Sequence, residues 1–119
     1  MMNAPQDLPG RMMALQLREK AALYNSYMPF LEHGGLFVPT DDIFSLGDEV
    51  LLALELTDHP GKKFLRTKVA WINPARTSAH RPKGVGLAFG GDEICLQTKI
   101  LIEGELGSAL RSDRVTFTL

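Results

Sequence analysis

Gly34-Gly35-Leu36-Phe37-Val38-Pro39 and Gly84-Val85-Gly86-Leu87-Ala88-Phe89 decide how this chain folds. Each joins glycine to a short apolar run. Paired glycines mark a turn or bulge where the backbone needs positive φ or close approach. A strand is expected over Gly35 to Val38, stopped by Pro39-Thr40-Asp41-Asp42. The second segment reads as the last long strand, with Val85, Leu87 and Phe89 inward and Gly84, Gly86 and Ala88 outward. Between the two lies the clearest strand, Glu49 to Leu56, with Val50, Leu52, Leu54 and Leu56 on one face. Ser45-Leu46-Gly47-Asp48 is a turn before it, and Asp58-His59-Pro60-Gly61 is a turn after it. Phe64 to Ile72 returns, with Leu65, Thr67, Val69 and Trp71 expected to share the core face, and Asn73-Pro74 ends it.

Upstream, Met12 to Leu17 alternates and predicts a first strand with Met13, Leu15 and Leu17 on one side. Ala21 to Tyr24 favours a short helical turn within the ambiguous stretch Arg18 to Tyr27, and Pro29 keeps Met28 extended or turned. After Gly90-Gly91, Asp92 is a candidate N-cap with Glu93 in the first turn. Ile94, Leu96, Ile100 and Leu101, continuing towards Leu106 and Leu110, predict an amphipathic helix whose second half Gly104 and Gly107 weaken. The expected organisation is a loose arm over 1–10, a domain over 11–111 and a tail over 112–119. The fold class is mainly β: a small antiparallel barrel with a C-terminal α-helix.

At 119 residues the chain makes one domain, and 45% hydrophobic residues supply a core. A net charge of −1 argues against an open basic nucleic-acid surface. An OB-like nucleic-acid module fits the barrel pattern, but the neutral charge and 8% aromatics do not suit it. Cys95 is single, no secretory h-region opens the chain, and no run approaches about 18 apolar residues, so the expectation is a cytoplasmic protein without direct membrane insertion. His33, His59 and His80 are scattered, and no zinc spacing, nucleophile elbow or phosphate-cradling loop is visible, so no enzyme, metal or cofactor is expected. The loop with Arg76, His80, Arg81 and Lys83 reads as solvated.

The order of these segments, from Leu15 to Phe89, resembles a PilZ domain, a small β-barrel module of bacterial signalling. Lys68-Val69-Ala70-Trp71-Ile72 and the glycine-marked strands carry the resemblance. Ligand-binding members hold cyclic di-GMP with an Arg-x-x-x-Arg motif and an Asp/Asn-x-Ser ahead of paired glycines. Here the Asp/Asn and Ser positions preceding Gly34 and Gly35 are Phe30 and Glu32. The upstream arginines are Arg11 and Arg18, seven apart instead of four. Phe30 accepts no hydrogen bond, Glu32 repels phosphate, and each lost arginine contact costs on the order of 1.5–3 kcal/mol. Gly90-Gly91-Asp92-Glu93-Ile94 resembles the diguanylate cyclase signature but lacks the larger domain that motif needs.

For members without the nucleotide motif, the resemblance implies an adaptor in type IV pilus assembly and twitching motility. The implied partners are a PilB-like assembly ATPase and a FimX-like EAL-domain regulator. A direct cyclic di-GMP receptor with an atypical site is the alternative. Tyr24-Asn25-Ser26-Tyr27-Met28-Pro29-Phe30 concentrates three aromatics and a methionine. It is expected either to plug the barrel mouth or to form a partner surface. Tyr24, facing out, is the first choice for a partner contact, with Tyr27, Met28 and Phe30 beside it. The tail with Phe117 and Leu119 is expected either to pair with a sheet edge, its own or a partner's, or to fray in solution.

Overall fold

The computed structural model describes residues 11–56, 59–75, 82–111 and 116–118. Its elements are β1 (Arg11–Leu17), α1 (Lys20–Ser26), β2 (Gly35–Pro39), β3 (Glu49–Leu56), β4 (His59–Asn73), β5 (Gly84–Phe89) and α2 (Glu93–Leu106), followed by a 3-10 turn over Gly107–Arg111. The strands form one curled, half-barrel sheet in the order β1-β3-β4-β5-β2. The mainly β class and the C-terminal helix are as expected from sequence. The β2–β5, β3–β4 and β4–β5 pairs are antiparallel, while β1 runs parallel to β3, Arg11 opposite Val50 through Leu17 opposite Leu56.

The alternation read from sequence sets the concave side. Val50, Leu52, Leu54 and Leu56 of β3 meet Leu65 and Val69 of β4 and Val85, Leu87 and Phe89 of β5 in one buried cluster. Leu36 and Val38 of β2 join it, as do Leu23 and Tyr24 of α1. Period-two patterning permits this because each strand turns every second side chain inward.

Three local expectations need correction. His59, Pro60 and Gly61 begin β4 instead of forming a turn, since His59 pairs with Leu56; Asp58 lies outside the described residues. Trp71 leaves the core face. Val69 sits opposite Leu87 and Trp71 opposite Gly86, so Ala70 is the extra residue of a bulge. One inserted residue flips every side chain beyond it, and Ile72, opposite Val85, takes the core place expected of Trp71.

Helix α2 keeps only the C-terminal part of the stripe read in its sequence, with Leu106 and Leu110 on the core as expected. Cys95, Thr98, Ile102 and Leu106 face the core, while Ile94, Leu96 and Ile100 stay exposed. Small Cys95 and Thr98 let the helix come close to β4: the Cys95 thiol reaches the Arg66 carbonyl at 3.7 Å, and Thr98 Oγ1 donates to the Ile94 carbonyl at 2.8 Å. Asp92 holds the N-cap place without a side-chain capping bond to the helix, and Gly107 closes the helix at φ 52°. No helix of the described residues is long and apolar enough to cross a membrane.

Candidate functional site

The segment between α1 and β2 folds back under the first glycine pair. Tyr27 is almost wholly buried, and its hydroxyl donates to Glu103 Oε2 of α2 at 2.6 Å. Burial, then the hydrogen bond to the Glu103 carboxylate, pushes the phenol pKa above its ordinary value. Gly34 takes φ 76°, and a Cβ there would lie 2.8 Å from the Tyr27 hydroxyl oxygen. Both the conformation and the space therefore require glycine. Met28 is fully buried, and its N–H donates to the Gly35 carbonyl at 2.9 Å.

Tyr24 is buried at 7% exposure inside the main cluster, so the outward-facing role expected of it is corrected. The α1 helix turns Leu23 and Tyr24 to the sheet, because those positions carry its bulkiest side chains. Tyr27 and Met28 are likewise interior. Of the four candidates between residues 24 and 30, only Phe30 is exposed, at 44%.

Phe30 belongs to an aromatic layer on the outer face of β2, β5 and β4. Its ring packs on Trp71 at 5.7 Å and 55°. Trp71 Nε1 donates to Asn73 Oδ1 at 2.8 Å, and Asn73 Nδ2 donates to the carbonyls of Pro82 (3.1 Å) and Phe117 (3.0 Å). Phe37, on the outer side of β2, is fully buried and meets Phe117 edge-on at 5.7 Å. Gly86 admits this layer: a Cβ there would lie 2.6 Å from Met28 Sδ and 2.8 Å from Trp71 Cβ. Phe117 is thus tied to the outer face, its N–H donating to the Asn25 carbonyl at 3.0 Å, and adds no strand to a sheet edge. Leu119, Arg76, His80 and Arg81 lie outside the described residues.

Beside the layer is a groove of about 530 Å³ whose lining includes Glu32, His33, Glu49, Arg66, Lys68 and Gly90. It is electrostatically mixed. Glu49 and Lys68 are cross-strand partners, and Glu32, with its side chain 87% exposed, stands 3.8 Å from His33. Arg66 and Lys68 were not picked out as site residues by the sequence reading. The signal was present, since β4 alternation places them opposite Leu65, Thr67 and Val69.

The two upstream arginines are not gathered here. They flank the ends of β1, roughly 23 Å apart along an extended strand, at the other end of the sheet order from β2. Arg11 Nη1 donates to the Ile43 carbonyl at 2.9 Å and its guanidinium lies 3.8 Å from the centre of the Phe44 ring. Arg18 Nη2 donates to Gln16 Oε1 at 2.8 Å. Among the described residues, no three His, Cys, Asp or Glu side chains converge as metal ligands.

No curated protein matches the chain. The family model described as PilZ domain matches residues 10–103. That span includes every strand and most of α2. The chain belongs to the PilZ domain family.

Proposed function

We propose that this PilZ domain is a non-catalytic cytoplasmic adaptor of type IV pilus assembly and twitching motility. It joins a PilB-like assembly ATPase to a FimX-like EAL-domain regulator through protein–protein contacts, without binding cyclic di-GMP itself. PilZ domains are in general non-catalytic binding modules, and membership points to a cyclic di-GMP-related adaptor or receptor role.

The observation that carries the adaptor half is the Phe30–Trp71 pair. The place where nucleotide-binding members put an acceptor holds a half-exposed aromatic tilted against tryptophan. Aromatic pairs of this kind are enriched at the cores of protein interfaces. Arg11 and Arg18 are bonded elsewhere, and Glu32 holds an exposed carboxylate at the motif position where nucleotide-binding members carry serine. The receptor reading has one observation in its favour, the cations Arg66 and Lys68 on the groove that Glu32 shares.

Calorimetric titration separates the two readings. The purified chain should give no saturable heat with cyclic di-GMP, and should bind the ATPase and the nucleotide-loaded regulator in separate titrations. Micromolar nucleotide binding lost in Arg66→Ala, with neither protein bound, would establish the receptor instead.

A further inference from the structure

Strand β4 is longer than its neighbour. It pairs with β3 from His59 to Lys68 but meets β5 only from Thr67 onward. Val69 donates its N–H to the Asp48 carbonyl (2.9 Å) and accepts from the Gly47 N–H (2.8 Å), both on the β3 side. Alternation then turns the main-chain groups of Arg66 and Phe64 to the opposite edge, with the Lys62 carbonyl at its end, just before the β3–β4 register shifts between Lys63 and His59. There the Arg66 carbonyl accepts from the Gly90 N–H at 3.2 Å and from the Cys95 thiol. The N–H and C=O groups of Phe64 and the C=O of Lys62 on that edge have no partner strand in β5 among the described residues.

Helix α2 runs beside this edge, from Cys95 at Arg66 to Glu105, whose carboxylate is 3.5 Å from His59 Nε2. A cleft of about 320 Å³ separates them, lined by Lys62, Lys63, Phe64, Ile94, Gln97 and Leu101. Its walls are apolar and open, with Phe64 at 48% and Ile94 at 51% exposure. Its rim is cationic. Neither Lys62 nor Lys63 has an ion pair among the described residues, and the nearby Glu93 carboxylate accepts from Gln97 at 2.8 Å.

We infer that this cleft takes an extended acidic and apolar segment of a partner protein, added as a strand along the Lys62–Phe64 edge of β4. Extended chain is required because the unpaired N–H and C=O groups call for a strand, whereas a helix has satisfied its own. The apolar side chains of the segment meet Phe64, Ile94 and Leu101, and its carboxylates meet the two lysines. An anionic bilayer suits the surface less well: α2 carries Glu93, Glu103 and Glu105 against Lys99. The inference requires neither the nucleotide nor the pilus partners.

The test is a displayed library of random short peptides selected on the immobilised full chain. The expected peptides combine apolar residues with Asp or Glu. They should lose at least about tenfold in affinity on the double variant Lys62→Glu, Lys63→Glu, and on Ile94→Asp, with melting unchanged in the lysine variant. Hydrogen exchange of the Phe64 amide should slow when such a peptide binds. Absence of enrichment, enrichment of basic or neutral sequences, indifference to both variants, or protection at other amides would overturn it. Lysine-dependent binding to phosphatidylglycerol vesicles without peptide selection would assign the face to a membrane and overturn it too.

Discussion

Tyr27→Phe isolates one bond between the segment ahead of β2 and helix α2. Phenylalanine keeps the buried ring and removes only the hydroxyl, which donates to Glu103 Oε2 at 2.6 Å. A hydrogen bond to a charged group contributes about 1.5–3 kcal/mol. Glu103 is only half-buried, so water replaces part of the loss. The expected cost is about 1–2 kcal/mol. Unfolding entropy of about 2.1 cal/mol/K per residue gives roughly 250 cal/mol/K for this chain, hence a fall in Tm of about 4–8 °C. Thermal and urea unfolding of Tyr27→Phe, Glu103→Ala and the double variant would measure the coupling. A coupling near 1 kcal/mol is expected, within the usual range of about 0.5–3 for residues in contact. Single-variant losses below about 0.3 kcal/mol, or strictly additive ones, would refute the reasoning.

Further expectations follow from the same geometry. Tyr24→Ala should cost about 3–5 kcal/mol as a buried aromatic truncation, whereas Phe30→Ala, half exposed with its ring against Trp71, should cost about 1 kcal/mol or less; chemical denaturation of both checks the assignment of core and surface. Gly34→Ala should destabilise by about 1–3 kcal/mol, because it adds positive-φ strain to a close approach on Tyr27. The Cys95 thiol is pushed up from its ordinary 9.0 to about 12, first by burial and then by its hydrogen bond to Asp92. A pKa raised in the folded state means stability is full below the unfolded value and falls as pH rises. Stability should therefore drop between about pH 9 and pH 12, by at most roughly 1.4 kcal/mol per pH unit for this group. Cys95→Ala should flatten that slope in equilibrium unfolding, and an unchanged slope would show that the thiol does not cause it.

Where one residue's chemistry decides one element, the sequence is easy to read. Glu49–Leu56 is a strand with the expected face inward because its apolar alternation from Val50 to Leu56 is uninterrupted and the turn residues Ser45 to Asp48 precede it. Gly84–Phe89 is equally plain. The errors arise where a choice depends on neighbours far along the chain. Nothing within Phe64–Ile72 announces the bulge at Ala70, which needs Gly86 opposite to accommodate Trp71. Helix α2 has apolar residues on several sides, and only the proximity of β4 selects the small residues Cys95 and Thr98 for burial. The same holds for the candidate site. The aromatic richness of residues 24–30 was legible, but which rings face out was not. Burying Tyr24 and Tyr27 and exposing Phe30 depends on α1 and Glu103. Parallel pairing of β1 with β3 was likewise beyond local pattern, since any alternating edge strand fits either direction.

Affinity capture from native cytosol tests the adaptor account most directly, with the tagged full chain and its Phe30→Ala variant processed in parallel and bound chains identified by mass spectrometry. The account predicts recovery of a pilus assembly ATPase and an EAL-domain regulator on the wild type, with at least one of them reduced about tenfold or more on the variant, as for an interface hot spot. Recovery of neither protein by the wild type, or equal recovery of both by the two forms, would contradict it.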